Sequence, residues 1–245
     1  MADTAAVYAE TRERLRELVA GLSEEELGTN VPATPAWSVR DVVAHLVGEA
    51  RITNTGDAPP EFRLLESLRD PGQADLRDRI NGEEVARRRD APFPQVLEEW
   101  DGLVEQLMPK LRGEEPFPFP EPFLDSILVT DLAGHGQDIR GALDRPGERD
   151  SAACRIGLAS FAVGLGFRLD SLGIPALRLR YDGKERLCGT TDPGATLTGN
   201  RFELFRALAG RRSRRQIEGL EWDGDREPYV PLIPAYGERL DDIVE

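Results

Sequence analysis

Two histidines and one acidic residue lie at positions where the sequence predicts the interior of helices. In residues 124–140, LDSILVTDLAGHGQDIR, apolar residues recur at helical spacing, and Asp131 and His135 fall inside that apolar stripe. Because residues four apart on a helix are neighbours, these two side chains point the same way. A carboxylate and an imidazole in a protein interior are costly unless they are hydrogen-bonded to each other or bound to a metal.

The only other histidine of the chain, His45, lies on a second predicted helix that faces the core. Two histidines and one acid are the ligands of a catalytic zinc site with an open position, or of a two-histidine, one-carboxylate non-haem metal site. In the alternative interpretation, Asp131 and His135 form a closed hydrogen-bonded pair that stabilises a helical bundle. The three residues together favour the metal site.

The helix that carries His45 has a clear predicted start. Ser38 and Asp41 have the spacing of a capping box, so the helix is predicted to begin at Val39. Asp41 is interpreted as this cap, and contact with His45 one turn later is the alternative. Trp37, just before the cap, and Trp100 are interpreted as core anchors and not as ligand-binding surfaces.

Periodicity changes along the chain and predicts two domains, residues 1–173 and residues 174–245. The first is predicted to be helical and the second mixed α/β. Residues 53–60 and 70–72 contain helix breakers, and the arginines at 87–89 are predicted to be exposed to solvent. The predicted helices cover residues 4–22, 94–111, 124–143, 152–172 and 201–208; the predicted strands cover 177–181, 184–188 and 217–222.

Two stretches, TPAWSVRDVVAHL at 34–46 and DLAGHGQDI at 131–139, resemble the mycothiol-dependent maleylpyruvate isomerase family. The resemblance implies an α+β protein with an N-terminal DinB-like four-helix bundle and a small C-terminal α/β domain. It also implies that His45, Asp131 and His135 bind a divalent metal, usually zinc. The family most often has glutamate where this chain has Asp131.

Three protein ligands would leave a position on the metal for water or substrate, and a thiol bound there is deprotonated. Neither Cys154 nor Cys188 lies in the two motifs, so a small-molecule thiol is expected, and the resemblance implies mycothiol. The predicted function is a metal-dependent thiol S-transferase or isomerase that acts on a small electrophilic substrate. The alternatives are a non-catalytic metal- or ligand-binding module and, less favoured, a metal-assisted hydrolase.

Three further residues are candidates for contacts around this site. Asp138 and Arg140 follow His135 by about one turn and are predicted to contact either a ligating histidine or the substrate. Arg211 is the candidate catalytic residue of the second domain. The favoured interpretation of Arg211, however, is a solvent-exposed residue beside Gly210, where a helix ends.

The charge of the chain argues against two classes of partner. With 31 basic and 45 acidic residues, the 245-residue chain has a net charge of −14, which disfavours nucleic acid and anionic membrane surfaces. No signal-peptide pattern is seen, and no segment is expected to be long enough to span a bilayer. Two widely separated cysteines indicate unpaired thiols. The sequence therefore predicts a cytoplasmic protein.

Overall fold

The computed structural model describes residues 3–64, 66–68, 71–119 and 122–245. It divides into two compact units, a helical unit, Met1–Arg145, and a mixed unit, Pro146–Glu245. The predicted α+β class, with helices first and a small mixed sheet later, is confirmed. The described helices of the helical unit are α1 (Thr4–Ala20), α2 (Glu24–Leu27), α3 (Val39–Thr55), a 3-10 turn (Glu66–Leu68), α4 (Pro71–Arg88), α5 (Phe93–Leu111) and α6 (Leu124–Ala142).

Helix α3 is the central element of the helical unit because it packs against α4, α5 and α6. Its Val39, Val43 and Val47 are completely buried. Helix α1 packs against α5 and α6, and Arg12 of α1 lies over the fully buried ring of Trp100 at 4.8 Å. The prediction that Trp100 is a core anchor is confirmed. The contact between α3 and α6 brings the two predicted motifs together.

Helix α4 lies where the sequence predicted a charged, solvent-exposed segment, and for Arg88 that prediction is wrong. The residue is only 4% exposed, and its Nη1 lies 3.0 Å from Oε2 of the equally buried Glu84. Gly48 of α3 permits the close packing, because a Cβ atom there would lie 2.5 Å from the Cβ of Glu84. A buried charge is tolerated here because it is paired.

The elements of the mixed unit are α7 (Ala152–Leu172), β1 (Ala176–Tyr181), β2 (Lys184–Cys188), β3 (Pro193–Thr198), α8 (Arg201–Leu208), α9 (Arg214–Glu218) and β4 (Glu221–Gly224). The four strands form one sheet with the order β2-β1-β3-β4. Strand β1 is antiparallel to β2 and parallel to β3, and β3 is antiparallel to β4. The predicted hairpin across Asp182 and Gly183 is confirmed, and both residues have the positive φ that a tight hairpin turn requires.

The predicted strand at residues 217–222 is wrong for its first four residues. Ser213 and Gln216 form a capping box that starts α9, so Ile217 is helical and the strand begins only at Glu221. Strand β3 was not predicted, because its Pro-Gly start has the appearance of a turn.

Helix α7 belongs with the sheet, because it packs against α8, β1 and β2. At Gly166 a Cβ atom would lie 2.6 Å from the backbone nitrogen of Gly189. The two compact units therefore divide at Arg145 and Pro146, before α7, whereas the sequence prediction placed the boundary after residue 173. Helical periodicity does not reveal which unit a helix packs against.

Helix α7 also corrects an expectation about membranes. Among the described residues, this 21-residue helix alone is long and apolar enough to cross a bilayer by length and composition, although no such segment was predicted. Nearly half of its most apolar window is buried inside the protein, which is typical of a core helix.

Candidate metal centre

The helical unit positions His45 through a local signal at the start of α3. The Ser38 backbone N–H donates to Asp41 Oδ2 at 2.9 Å, and the Asp41 N–H donates to Ser38 Oγ at 3.2 Å. This capping box confirms both the predicted start at Val39 and the interpretation of Asp41 as a cap. With the start of the helix fixed, His45 lies about two turns along α3.

Helix α6 places its aspartate and histidine beside His45. Asp131 Oδ2 lies 3.2 Å from His45 Nε2, and Asp131 Oδ1 lies 3.6 Å from His135 Nε2. Both histidines are 6% exposed, and the side chain of Asp131 is 22% exposed. Each imidazole therefore directs Nε2 toward a different oxygen of one carboxylate.

The three residues fit a divalent metal ion. One ligating atom from each of His45, Asp131 and His135 can be chosen so that all lie within 4.8 Å of one another. Two atoms bound to a tetrahedral zinc ion at about 2.0–2.1 Å are roughly 3.3 Å apart. The two imidazole–carboxylate distances, 3.2 and 3.6 Å, are close to that separation. Two imidazoles and a carboxylate are also the donor set that zinc accepts.

Asp138 lies on the far side of the His135 ring. Its Oδ2 atom is 3.1 Å from His135 Nδ1, without the alignment of a hydrogen bond, and the residue is 1% exposed. A carboxylate at this nitrogen favours the tautomer that leaves Nε2 free to bind a metal. Arg140, the other residue predicted here, instead donates to the backbone oxygen of Arg145 at 3.5 Å.

The ring of Trp37, interpreted from the sequence as a core anchor, lies beside both histidine rings. Its ring centroid lies 5.0 Å from that of His45 and 6.2 Å from that of His135. The two imidazole rings are 4.9 Å apart and nearly perpendicular. The half-buried indole therefore provides an apolar surface beside both imidazoles.

Sequence reasoning missed two residues that belong to this centre. Glu49 follows His45 by four residues on α3, and its carboxyl group lies near that of Asp131. Burial raises the pKa of Glu49 well above its ordinary value, and the charge of Asp131 raises it further. Tyr8 of α1 is 2% exposed, and burial and Glu49 raise its pKa. The spacing of four from His45 is the signal that identifies Glu49 in the sequence.

Arg211 lies in the mixed unit and is buried, so the prediction of a solvent-exposed arginine is wrong. Its Nη1 donates to the Ala209 backbone oxygen at 2.8 Å, and its guanidinium lies 5.7 Å from the centre of the Tyr236 ring. Its neighbour Arg212 forms two hydrogen bonds with Glu203, at 2.7 and 2.9 Å. A catalytic role for Arg211 stays a prediction.

The two cysteines are buried in the mixed unit, as expected of unreactive thiols. Burial raises the pKa of Cys188 to about 12 and also raises that of Cys154. Because the thiolate is the reactive form, we expect negligible labelling of the native protein by a disulfide reagent at pH 8. Both thiols of the chain should react after unfolding in guanidinium, with free cysteine as the rate control. Rapid labelling of the native protein would contradict this prediction.

Comparisons with known proteins bear on the family and the fold of the chain. The family model of the mycothiol maleylpyruvate isomerase N-terminal domain matches residues 8–140, more than half of the chain. A crystal structure of the mycothiol-dependent maleylpyruvate isomerase matches with a TM-score of 0.59 and 14% identity, and a histidine-to-alanine mutant with 0.59 and 13%. Each match covers 90% of this chain and 91% of the other. A comparison of the sequence with curated proteins found no match. At such low identity, the structural similarity shows the fold.

Proposed function

Because the chain belongs to the mycothiol maleylpyruvate isomerase N-terminal domain family, we propose that it is a metal-dependent enzyme with mycothiol as its thiol cosubstrate. Its substrate would be a small electrophile, and its reaction a thiol transfer or an isomerisation by reversible thiol addition. The observation that carries the proposal is the cluster of His45, Asp131 and His135, whose ligating atoms lie within 4.8 Å of one another.

Each residue of the cluster, and Asp138 beside it, has a proposed role. A divalent ion held by His45, Asp131 and His135 would lower the pKa of a bound thiol and so supply a thiolate at neutral pH. The two histidines would serve as neutral ligands through Nε2, and Asp131 would contribute the negative charge. Asp138 orients His135 through Nδ1.

The surroundings of the cluster suit a reaction of a thiolate with an electrophile. The ring of Trp37 lies 5.0 Å from that of His45 and 6.2 Å from that of His135, and it provides an apolar surface beside both imidazoles. Cys154 and Cys188 are buried thiols with raised pKa values, so the nucleophile must come from a separate molecule. We propose zinc as the ion, since imidazole and carboxylate ligands suit it.

The proposed partners are the small thiol and the small electrophile alone. A net charge of −14 disfavours nucleic acid and anionic lipid, because both carry the same sign of charge. We propose a cytoplasmic location, where a reduced small thiol is available.

Thiol-dependent turnover tests the proposal directly. The zinc-loaded protein is incubated with mycothiol and either maleylpyruvate or a fluorogenic bimane electrophile, and product is measured with and without a chelator. We expect turnover that requires the thiol and falls at least about 100-fold after chelation, because a metal contributes several kcal/mol to such a step. Readdition of zinc should restore it.

The control replaces mycothiol with equal concentrations of cysteine or glutathione, which separates use of any thiol from use of mycothiol. Metal binding without turnover on either electrophile would overturn the proposal and leave a non-catalytic metal-binding module. Turnover of an ester without any thiol would instead support metal-assisted hydrolysis, in which water takes the place of the thiol.

A further inference from the structure

Two arginines of the mixed unit have buried side chains. Arg206 of α8 is completely buried, and Arg212, which precedes α9, is 5% exposed. Arg212 forms hydrogen bonds of 2.7 and 2.9 Å with Glu203, another residue of α8. Because a guanidinium group keeps its charge in a protein interior, two buried arginines need more than one acid beside them.

Glu245 supplies the second acid. Arg206 donates from Nε to Glu245 Oε2 at 2.9 Å and from Nη2 to the other carboxylate oxygen, Oε1. Arg212 Nη1 donates to Oε2 at 3.5 Å, and the side chain of Glu245 is 5% exposed. Two parallel bonds from one guanidinium are the geometry by which arginine binds carboxylates, whether they belong to a protein or to a small molecule.

The segment that carries this carboxylate is held mainly by polar contacts. Residues 237–245, here called the strap, have an irregular backbone. Ile243 is buried, whereas Leu240 and Val244 are almost fully exposed. The Gln216 side chain donates to the Ile243 backbone oxygen at 2.8 Å and accepts from its N–H at 3.2 Å. A segment with so little buried apolar surface opens at a low cost in free energy.

We propose that Arg206 and Arg212 form a carboxylate-binding site, that Glu245 occupies it as an internal ligand, and that small free carboxylates compete with Glu245 and release the strap. Removing Glu245 would take away the carboxylate that binds both sides of the Arg206 fork. A buried charge that loses its partner is costly, so the site would then favour another carboxylate. The inference concerns the mixed unit alone and does not rest on the proposed metal chemistry.

The experiment uses Glu245→Ala in the full chain, with acetate as the probe. The substitution removes a methylene group and a carboxylate, which together match acetate in size. Hydrogen–deuterium exchange of the strap should be about 10- to 100-fold faster in this variant, because the strap loses charge-assisted hydrogen bonds. Acetate at pH 7 should raise the melting temperature of Glu245→Ala, because a ligand stabilises the state that binds it. Chloride at the same ionic strength and neutral acetamide should not.

Two variants serve as controls. Glu245→Gln keeps the volume of the side chain and fills the site, so acetate should leave its melting temperature unchanged. Glu238→Ala removes an exposed acid of the strap that pairs with the half-exposed Arg214. Because an exposed ion pair contributes little, this variant should keep strap exchange within about threefold of the native rate.

The native protein provides a test that needs no variant to fold. A tethered ligand acts at an effective concentration of millimolar order, so acetate at about 0.2 M should compete with Glu245 and accelerate strap exchange at least about twofold. Chloride at the same ionic strength should not accelerate it, because chloride cannot form the two bonds to Arg206.

Three results would overturn the inference. Native strap exchange in Glu245→Ala would show that Glu245 does not hold the strap. Equal responses of this variant to acetate, chloride and acetamide would leave Glu245 as an ordinary structural ion pair. Equal effects of acetate and chloride on the native strap would show that free carboxylates do not compete for the site, even if Glu245→Ala fails to fold.

Discussion

Replacing either His45 or His135 with alanine is expected to weaken divalent-metal binding by more than about 100-fold, since a lost ligand costs more than a lost orienting group. The native chain should bind about one zinc ion after purification or reconstitution. Mass spectrometric metal analysis and chelator competition measure both quantities. Because the two histidines come from different helices, loss of metal in both variants would indicate one shared site.

Helix α6 offers a matched pair of controls for the third ligand. Asp131→Asn and Asp125→Asn make the same change on the same helix, but only Asp131 contacts the histidines. We expect the first to lose the metal and the second to keep it. Saturating zinc should raise the melting temperature of the native protein and of Asp125→Asn only, because a ligand stabilises the state that binds it.

A native protein that holds no divalent metal even after reconstitution would contradict the prediction. The contacts of Asp131 with the two histidines would then form a structural hydrogen-bonded cluster, which was the alternative interpretation of the sequence.

The sequence predicted the parts of the centre that local signals encode. The capping box at Ser38 fixes the start of α3 and therefore the direction of His45. The spacing of Asp131 and His135 places them on one face of α6. The contact between α3 and α6, however, belongs to the tertiary structure, which local sequence signals do not encode. The resemblance of the two motifs to a family allowed this contact to be predicted, since periodicity within one helix cannot show which helix lies against it.

Other features could not be predicted because they depend on contacts between distant segments. Trp37 precedes a cap, where an aromatic residue is usually an anchor, and it lies beside His45 and His135. Glu49 has the appearance of a polar residue on α3 until Asp131 is placed beside it. Helix α7 has an apolar surface that suits either unit, and only its packing on the sheet decides between them.

The prediction for helix α4 shows the largest difference from the structure, because a charged side chain that is predicted to be exposed can be buried when it forms an ion pair. A run of three arginines is usually solvated, so the segment was predicted to be exposed. In the structure, Glu84 of α4 accepts hydrogen bonds from Arg51 Nη2 at 2.8 Å and from Arg88 Nη1 at 3.0 Å. Gly48 allows the two helices to approach closely enough for this network to be buried.

Replacing Glu84 with glutamine should therefore destabilise the protein strongly. The substitution leaves the buried guanidinium of Arg88 without one of its charged partners, and breaking a buried ion pair typically costs about 3–5 kcal/mol. We expect a loss near the lower end, about 3 kcal/mol, because Arg88 also binds Glu99. Urea unfolding followed by circular dichroism at pH 7 measures it. Glu83→Gln, an exposed neighbour on the same helix, is the matched control and should change stability by less than about 0.5 kcal/mol.

The pH dependence of this loss gives a second, independent test. Burial raises the pKa of Glu84, but hydrogen bonds from Arg51 and Arg88 outweigh burial, and the pKa lies below its usual value. A lowered carboxyl pKa contributes stability that is complete above the unfolded pKa of about 4.3 and is lost as the pH falls through the folded value. The difference in unfolding free energy between the native protein and Glu84→Gln should therefore be constant above about pH 5 and shrink below about pH 4. A difference that grows on acidification, or a Glu84→Gln variant as stable as Glu83→Gln at pH 7, would show that the ion network does not stabilise the contact between α3 and α4.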